Sequence, residues 1–247
     1  MIDFHTHFLP DVDDGKFTDE EVFEALHSFA EQGVTGVVFT PHYIIGLYEN
    51  AKNDIITKIE RFEKSAPIKV YCGMEVYIEA LYHRSPSDFI AIGGKYLLVE
   101  FPMVMIPRDV EEIFFRVRVD GYRIVLAHPE RNRELLRKLS LIQGWREKYR
   151  VLVQVNVPSL IGAYGGEVKR VGVELVKRGM VDVLGTDVHS LKEVKMFSLP
   201  KVKALLTKLC GEERTEKIMF SVPERMLRGE DVDPLPSVKG YPRPKLF

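Results

Sequence analysis

Five of the seven histidines, His5, His7, His42, His128 and His189, fall at or just after short apolar runs, and acids accompany them. Glu75 and Glu100 close two such runs, Asp187 precedes His189 by two residues, and Asp13 and Asp14 follow the first pair. Neutral imidazole and carboxylate are ligands for divalent transition metals. On a locally regular strand end, His5-Thr6-His7 aims both rings to one side, because side chains repeat with period two. Carboxylates crowded together repel one another and rise in pKa unless cations lie between them. If the runs open onto one face, the cluster implies metal ions, and more than one.

Each feature alone has a plainer reading. A single His-x-His is weak evidence, His42 after Thr40-Pro41 reads as a loop histidine, and Asp187-x-His189 reads as a helix cap with a surface imidazole. Glu75 and Glu100 would be salt-bridged, since an isolated buried carboxylate is costly. What favours ligation is their shared position at the same end of successive strands. His27, inside a helical pattern, and His83, in a polar connection, are assigned structural roles. Arg131, in His128-Pro129-Glu130-Arg131, is either a surface residue capping the next helix or a planar clamp on phosphate oxygens. The clamp is preferred.

The elements that must position these residues alternate. Nearly continuous apolar, β-branched runs predict strands at Met1–His5, Val34–Thr40, Ile68–Gly73, Tyr96–Phe101, Arg123–Ala127, Val151–Asn156 and Val181–Thr186. Thr18 and Glu21 make a capping box for a first helix that stops at Gly33. Further helices are predicted near Asn53–Lys64, Asp109–Asp120, Arg133–Tyr149, Val168–Arg178 and Lys192–Leu209. Strands alternating with helices imply a parallel sheet, and the number of units points to a distorted α/β barrel of residues 1–230. An open doubly wound sheet is less favoured, because no G-x-G-x-x-G follows any strand. From Asp231 onward, Pro234, Pro236, Pro242 and Pro244 mark residues 231–247 as a Pro-rich extended tail.

Composition removes other classes. With 247 residues, one barrel accounts for the chain, and Lys+Arg 35 against Asp+Glu 36 leaves no field to gather nucleic acid. No apolar run approaches the roughly 18 residues needed to insert in a membrane, and Met-Ile-Asp-Phe-His lacks signal-peptide character. A soluble, cytoplasmic protein of open oligomeric state is expected. Cys72 and Cys210 form no disulfide framework, and a Cys-x5-Arg loop fails at both, where Ile78 and Glu216 stand in place of arginine. No G-x-S-x-G or P-loop is present.

Taken in order, His5-Thr6-His7, Thr40-Pro41-His42, Gly73-Met74-Glu75, Glu100, His128-Pro129 and Asp187-Val188-His189 resemble the PHP (polymerase and histidinol phosphatase) superfamily of metal-dependent phosphoesterases. His5-Thr6-His7-Phe8-Leu9-Pro10 leading into Asp13-Asp14-Gly15, with His128-Pro129-Glu130-Arg131 and Gln154-Val155-Asn156, is similar to the bacterial manganese-dependent protein-tyrosine phosphatases of capsule and exopolysaccharide operons. The resemblance implies a distorted (β/α)7 TIM-like barrel with three divalent metal ions, Mn first and Fe, Zn or Co as alternatives. It implies His5, His7, Glu75 and Asp187 for one metal, with Glu75 bridging to a second held by Glu100 and His128. His42, His189 and an aspartate would hold the third, Asp14 with Asp13 as rival. Two departures stand out: Thr186 replaces the usual serine, and after His189 an Arg-Pro-containing segment gives way to Ser190-Leu191-Lys192-Glu193-Val194-Lys195. Lys192 or Lys195 would then supply the second basic contact.

The implied reaction is phosphomonoester hydrolysis by in-line attack of a metal-bridging hydroxide on phosphotyrosine in a protein, with Glu75 and Arg131 catalytic and no covalent enzyme intermediate. Asp13 or a metal-bound water would protonate a poorer leaving group. The alternatives are a phosphatase for a small phosphorylated metabolite, histidinol phosphate or a nucleotide, a non-catalytic PHP module, and a metal-dependent amidohydrolase. The last would want a bridging lysine where Glu75 stands.

Overall fold

A computed structural model describes residues 1–238, and in it the apolar runs line up as parallel strands. In chain order these are β1 (Ile2–Thr6), β2 (Gly36–Phe39), β3 (His42–Tyr43), β4 (Lys69–Cys72), β5 (Glu75–Tyr77), β6 (Tyr96–Glu100), β7 (Arg123–Leu126), β8 (Leu152–Asn156) and β9 (Val183–Gly185). They pair as β1-β2-β4 and as β3-β5-β6-β7-β8-β9, all parallel. β3 prolongs β2 past Thr40-Pro41, and β5 prolongs β4 past Gly73-Met74. Gly73 N donating to Phe39 O (2.9 Å) and Glu75 N donating to Pro41 O (3.0 Å) carry the pairing across both gaps. The array is therefore the expected distorted barrel.

The two interruptions correct the prediction of strands ending at Thr40 and Gly73. Pro41 has no N–H to give the ladder. A Cβ on Gly73 would lie 2.7 Å from Ile92 and 3.0 Å from Thr40 and Val38, so the chain crosses there only as glycine. The resumed segments β3 and β5 begin with His42 and Glu75. Closure of the barrel is confined to one end, where Asp187 N donates to His5 O (2.9 Å) and His7 N to Val188 O (3.1 Å). β1 is also less regular than its sequence implies, its register on β2 slipping between Asp3 and Thr6.

Helices cover the outside: α1 (Asp19–Glu31), α2 (Lys52–Glu63), α3 (Ala80–His83), α4 (Val110–Val119), α5 (Leu139–Tyr149), α6 (Val157–Ile161), α7 (Gly166–Lys177), α8 (Leu191–Met196), α9 (Leu199–Cys210), α10 (Glu212–Glu216) and α11 (Val222–Leu227). The Thr18–Glu21 capping box forms, and Val22, Ala25, Leu26 and Phe29 of α1 are buried. Two long helices are broken. Asn132 Oδ1 accepts from the Glu134 and Leu135 N–H groups, a local bond that competes with the helix, so a 3₁₀ turn precedes α5. Pro200 sits in the first turn of α9 and separates it from α8. Residues 212–227, left outside the predicted helices, are helical, with a π turn ahead of Pro223.

Period-two alternation sorts each strand into layers. Phe4, Val38, Leu98, Val125, Leu152 and Val183 fill the barrel floor, joined by Val222 and Met226 of α11 and Val232 of the tail. The outward residues, among them Val37, Phe39, Leu97, Val99, Val153 and Val155, pack beneath the helices. One repeat above Leu98 comes Glu100, and above Leu152 come Gln154 and Asn156. The polar layer thus lies at the carboxyl ends. Residues 231–238 form no helix or strand and cross the opposite mouth, where Val232 N donates to Tyr96 Oη (2.9 Å), Leu235 N to Asp182 Oδ1 (2.7 Å) and Val238 N to Arg178 O (2.9 Å). Pro242 and Pro244 lie outside the described residues. Among the described residues no helix is long and apolar enough to cross a membrane.

Candidate metal centre

His5, His7, His42, Glu75, Glu100, His128, Asp187 and His189 all meet at the carboxyl-terminal mouth, together with Asp14 from the loop after β1. His5 is the penultimate residue of β1 and His7 lies just past its end, His42 opens β3, Glu75 opens β5 and Glu100 ends β6. His128 and Asp187 follow β7 and β9 at positive φ, +29° and +55°. Such backbone costs about 1–3 kcal/mol and persists only where surroundings enforce it. Here Gln154 Oε1 accepts from His128 N (3.2 Å), and Asp187 N is tied to His5 O. His27 and His83 are exposed, apart from this cluster.

The donor atoms form four overlapping groups: His7, Asp14, His42 and His189; His5, His7 and Asp187; His5, Glu75 and His128; His42, Glu75 and Glu100. Glu75 belongs to two of them. Its Oε1 lies 2.9 Å from His128 Nε2, and its Oε2 lies 3.1 Å from His5 Nε2 and 3.0 Å from His42 Nδ1. Glu75 Oε2 and His42 Nδ1 are both buried without a hydrogen-bond partner.

The histidine tautomers fit cation binding. Gln154 Oε1, oriented by the His128 N–H, accepts from His5 Nδ1 (3.2 Å), while Asp13 Oδ2 accepts from His7 Nδ1 (2.7 Å). In the neutral rings both Nε2 atoms then carry lone pairs, and they face each other at 3.0 Å. Lone pairs at that separation require a positive charge between them, and a nitrogen and oxygen donor set suits a divalent transition metal.

Without cations, protons take that role. Burial opposes charge on His7, but hydrogen bonds to Asp13, Asp187 and Glu75 outweigh it and raise the imidazole well above its ordinary 6.5. For His128, burial is overcome by the Glu75 hydrogen bond, which lifts it to about 9. Glu75 and Asp187 are buried too, yet surrounding imidazoles, His5 foremost, hold both far below the usual carboxylate range. Glu100 goes the other way, raised by burial and by the charge of Glu75. Asp14, half-exposed, is lowered to about 2 by its His189 hydrogen bond.

Asp13 and Asp14 separate cleanly. Asp14 Oδ1 is 3.2 Å from His189 Nε2 and 3.6 Å from His42 Nε2. Asp13 instead sits behind His7, and its oxygens also accept from Gly15 N (3.0 Å) and His42 N (3.0 Å). Both oxygens are occupied away from the donor cluster, so the proton-donor role raised for Asp13 finds no support in this geometry.

Arg131 stands on the rim of a cleft of about 530 Å³ over the cluster, with Nη1 2.7 Å from Asp187 Oδ2 and the guanidinium 4.6 Å over the Tyr164 ring. Lys195 is paired with Glu24 (2.8 Å) on the outer surface, and Lys192 lines a neighbouring groove instead of the cleft. Neither takes the place of a second arginine.

The site residues not singled out individually are the supports. Gln154 Nε2 donates to Asn156 Oδ1 (2.8 Å), and Asn156 Nδ2 donates to Asp187 Oδ2 (2.7 Å), which links His5 to Asp187 through one polar chain. Buried Glu130 accepts from Asn156 N (2.9 Å), and burial pushes its carboxyl pKa up. Thr186 keeps a hydroxyl that donates to buried Asp3 (2.5 Å). Gln154 and Asn156 could have been found as polar residues spaced by two within a strand covered on both faces.

The profile of the family described as capsular polysaccharide synthesis, CpsB/CapC, matches residues 1–228. The chain is 30% identical over 221 residues to tyrosine-protein phosphatase YwqE of Bacillus subtilis (strain 168), covering 86% of each. It is 24% identical over 246 residues to tyrosine-protein phosphatase CpsB of Streptococcus pneumoniae, covering 92% of this chain and 98% of that one. Among solved structures, one from crystallographic work on YwqE of B. subtilis and CpsB of S. pneumoniae, described as unique metal-dependent tyrosine phosphatases, superposes with a TM-score of 0.84 at 27% identity, covering 97% of this chain and 100% of that chain.

Proposed function

The chain belongs to the capsular polysaccharide synthesis CpsB/CapC family, and from that premise we propose that it is a metal-dependent protein-tyrosine phosphatase, hydrolysing phosphotyrosine in a protein substrate. The observation that carries the reading is Glu75, one buried carboxylate common to two donor groups. We assign His5, His7, Glu75 and Asp187 to one ion, Glu75, Glu100 and His128 to a second, and Asp14, His42 and His189 to a third. Manganese is the first candidate, with Fe, Zn and Co compatible with the same ligands. The cytoplasm is the proposed compartment.

Divalent cations in such a site acidify water to near neutrality and neutralise phosphate oxygens. The chain's own residues do the rest. Arg131, steadied by Asp187 and by the Tyr164 face, offers planar N–H donors to the non-bridging oxygens as charge builds on them. Asp13 and Gln154 hold His7 and His5 with Nε2 toward the centre. The phenol leaving group has a pKa of about 10 and departs with little help from an acid.

Metal analysis of protein purified without added metal, followed by parallel assays on a phosphotyrosine peptide, histidinol phosphate and p-nitrophenyl phosphate, tests the proposal. Activity on the peptide that chelation abolishes and Mn²⁺ restores is expected. Preference for histidinol phosphate, or activity indifferent to chelation, overturns it.

A further inference from the structure

Beside the metal cleft runs a second depression of about 410 Å³, walled by α6, the loop after it, α8 and the start of α9. Tyr164, Asp187 and Glu193 border both, so the two are continuous. Its floor is apolar, with Val202 buried, and its lips carry apolar side chains left in solvent: Met196 is 73% exposed, Ile161 57% and Tyr164 39%. Two cations, Lys192 and Lys201, stand along it. The acid beside them, Glu193, is committed to the His189 N–H (2.6 Å).

We propose that this groove is a specificity subsite, taking an apolar side chain adjacent to the phosphotyrosine in a polypeptide, with an acidic neighbour directed to Lys192 and Lys201. The inference rests on the tyrosine-phosphatase reading and deepens it. A phosphate ester seated over the metal ligands has to leave the cleft across its rim, and Asp187, itself in the cleft, is where the groove begins. A small metabolite or an aryl phosphate ends at the rim. A polypeptide continues, and the continuation meets a clustered apolar surface of the kind that marks a binding site. The cationic flank complements a carboxylate on that chain and repels a basic one. The segment after His189 supplies Ser190, Lys192, Glu193 and Met196 to the groove's wall, facing Ile161 and Tyr164 across the trough.

The experiment compares kcat/KM for p-nitrophenyl phosphate and for two phosphotyrosine peptides that differ only in leucine or glycine at the positions flanking the phosphotyrosine. The wild-type enzyme is expected to favour the leucine peptide by about tenfold or more, through KM, as burial of one aliphatic side chain allows. Met196→Asp and Ile161→Asp, both at exposed positions, should erase that preference and leave p-nitrophenyl phosphate turnover unchanged, which also reports an intact fold and metal site. Lys201→Glu should reverse the advantage of a glutamate over a lysine in the same peptide. Equal rates on the two peptides in the wild type, or a preference that survives both aspartate variants, overturns the subsite while leaving the phosphatase assignment standing. Failure of both peptides with retention of p-nitrophenyl phosphate and histidinol phosphate turnover overturns the tyrosine reading, and the subsite with it.

Discussion

Asp13 lies 2.7 Å from Nδ1 of His7, on the edge of the ring opposite the atom that meets His5, Glu75 and Asp187. A carboxylate behind a ligating imidazole fixes its tautomer and increases its basicity, and losing such a partner typically costs about 10–100-fold in metal affinity or activity. Asp13→Ala is therefore expected to lose metal on dilution and to recover most of its kcat when Mn²⁺ is supplied in excess. A selective loss on alkyl phosphates at saturating metal would return Asp13 to the role of proton donor.

Glu75→Gln should be the most damaging single change at the centre. The substitution keeps the shape but removes the charge that faces His5, His42 and His128. Turnover of p-nitrophenyl phosphate should fall by at least on the order of a hundredfold, with fewer ions bound per chain. Full metal content with near-normal turnover would refute the bridging assignment.

Removal of Arg131 separates substrate binding from metal binding. Arg131→Ala should raise KM and lower kcat for phosphate esters while metal content changes far less, and Arg131→Lys should rescue poorly, since a point charge lacks the planar fork. Unchanged kinetics in the alanine variant would dismiss the clamp.

The thiols should be bystanders. Burial, reinforced by the charges of Glu63 and Glu60, pushes Cys72 up to about 11, and burial raises Cys210 as well. The thiolate is the reactive form, so a raised pKa makes labelling slower: at pH 8 only about one Cys72 in a thousand is ionised. Iodoacetamide at pH 8 should spare activity, and Cys72 labelling should climb about tenfold per pH unit toward pH 11. Rapid inactivation at pH 8 would contradict this.

The candidate metal-binding residues were legible because each is a polar residue at the end of an apolar run, and parallel strands bring such ends together. The choice between Asp13 and Asp14 was not, because it depends on a turn that Gly15 and His42 close by hydrogen bonds from their backbones. Period two held in β6, which placed Glu100 at the mouth, and it also holds in β8, where Gln154 and Asn156 went unassigned; β1 slips its register, and β2 and β4 break at Pro41 and Gly73. Helices were overrun where a local signal, Asn132 or Pro200, outweighed the apolar pattern. Within 212–227, Ile218 and Met219 join the core beneath the helices while Val222 and Met226 join the barrel floor, so its apolar residues face different directions around a π turn and give no single stripe.

The strap across the far mouth makes the chain asymmetric in what it tolerates. Asp182 is wholly buried, paired with Arg146, and also accepts from Val153 N (2.8 Å) and Leu235 N (2.7 Å). Arg146 in turn donates to Leu235 O (2.7 Å). Trimming the polypeptide at residue 230 would unroof this ion pair and admit solvent beneath β9, the strand that leads to Asp187. Heat resistance would decline before chemistry did, and a surface-immobilised enzyme would work best tethered by that underside, with its reactive mouth turned to the medium.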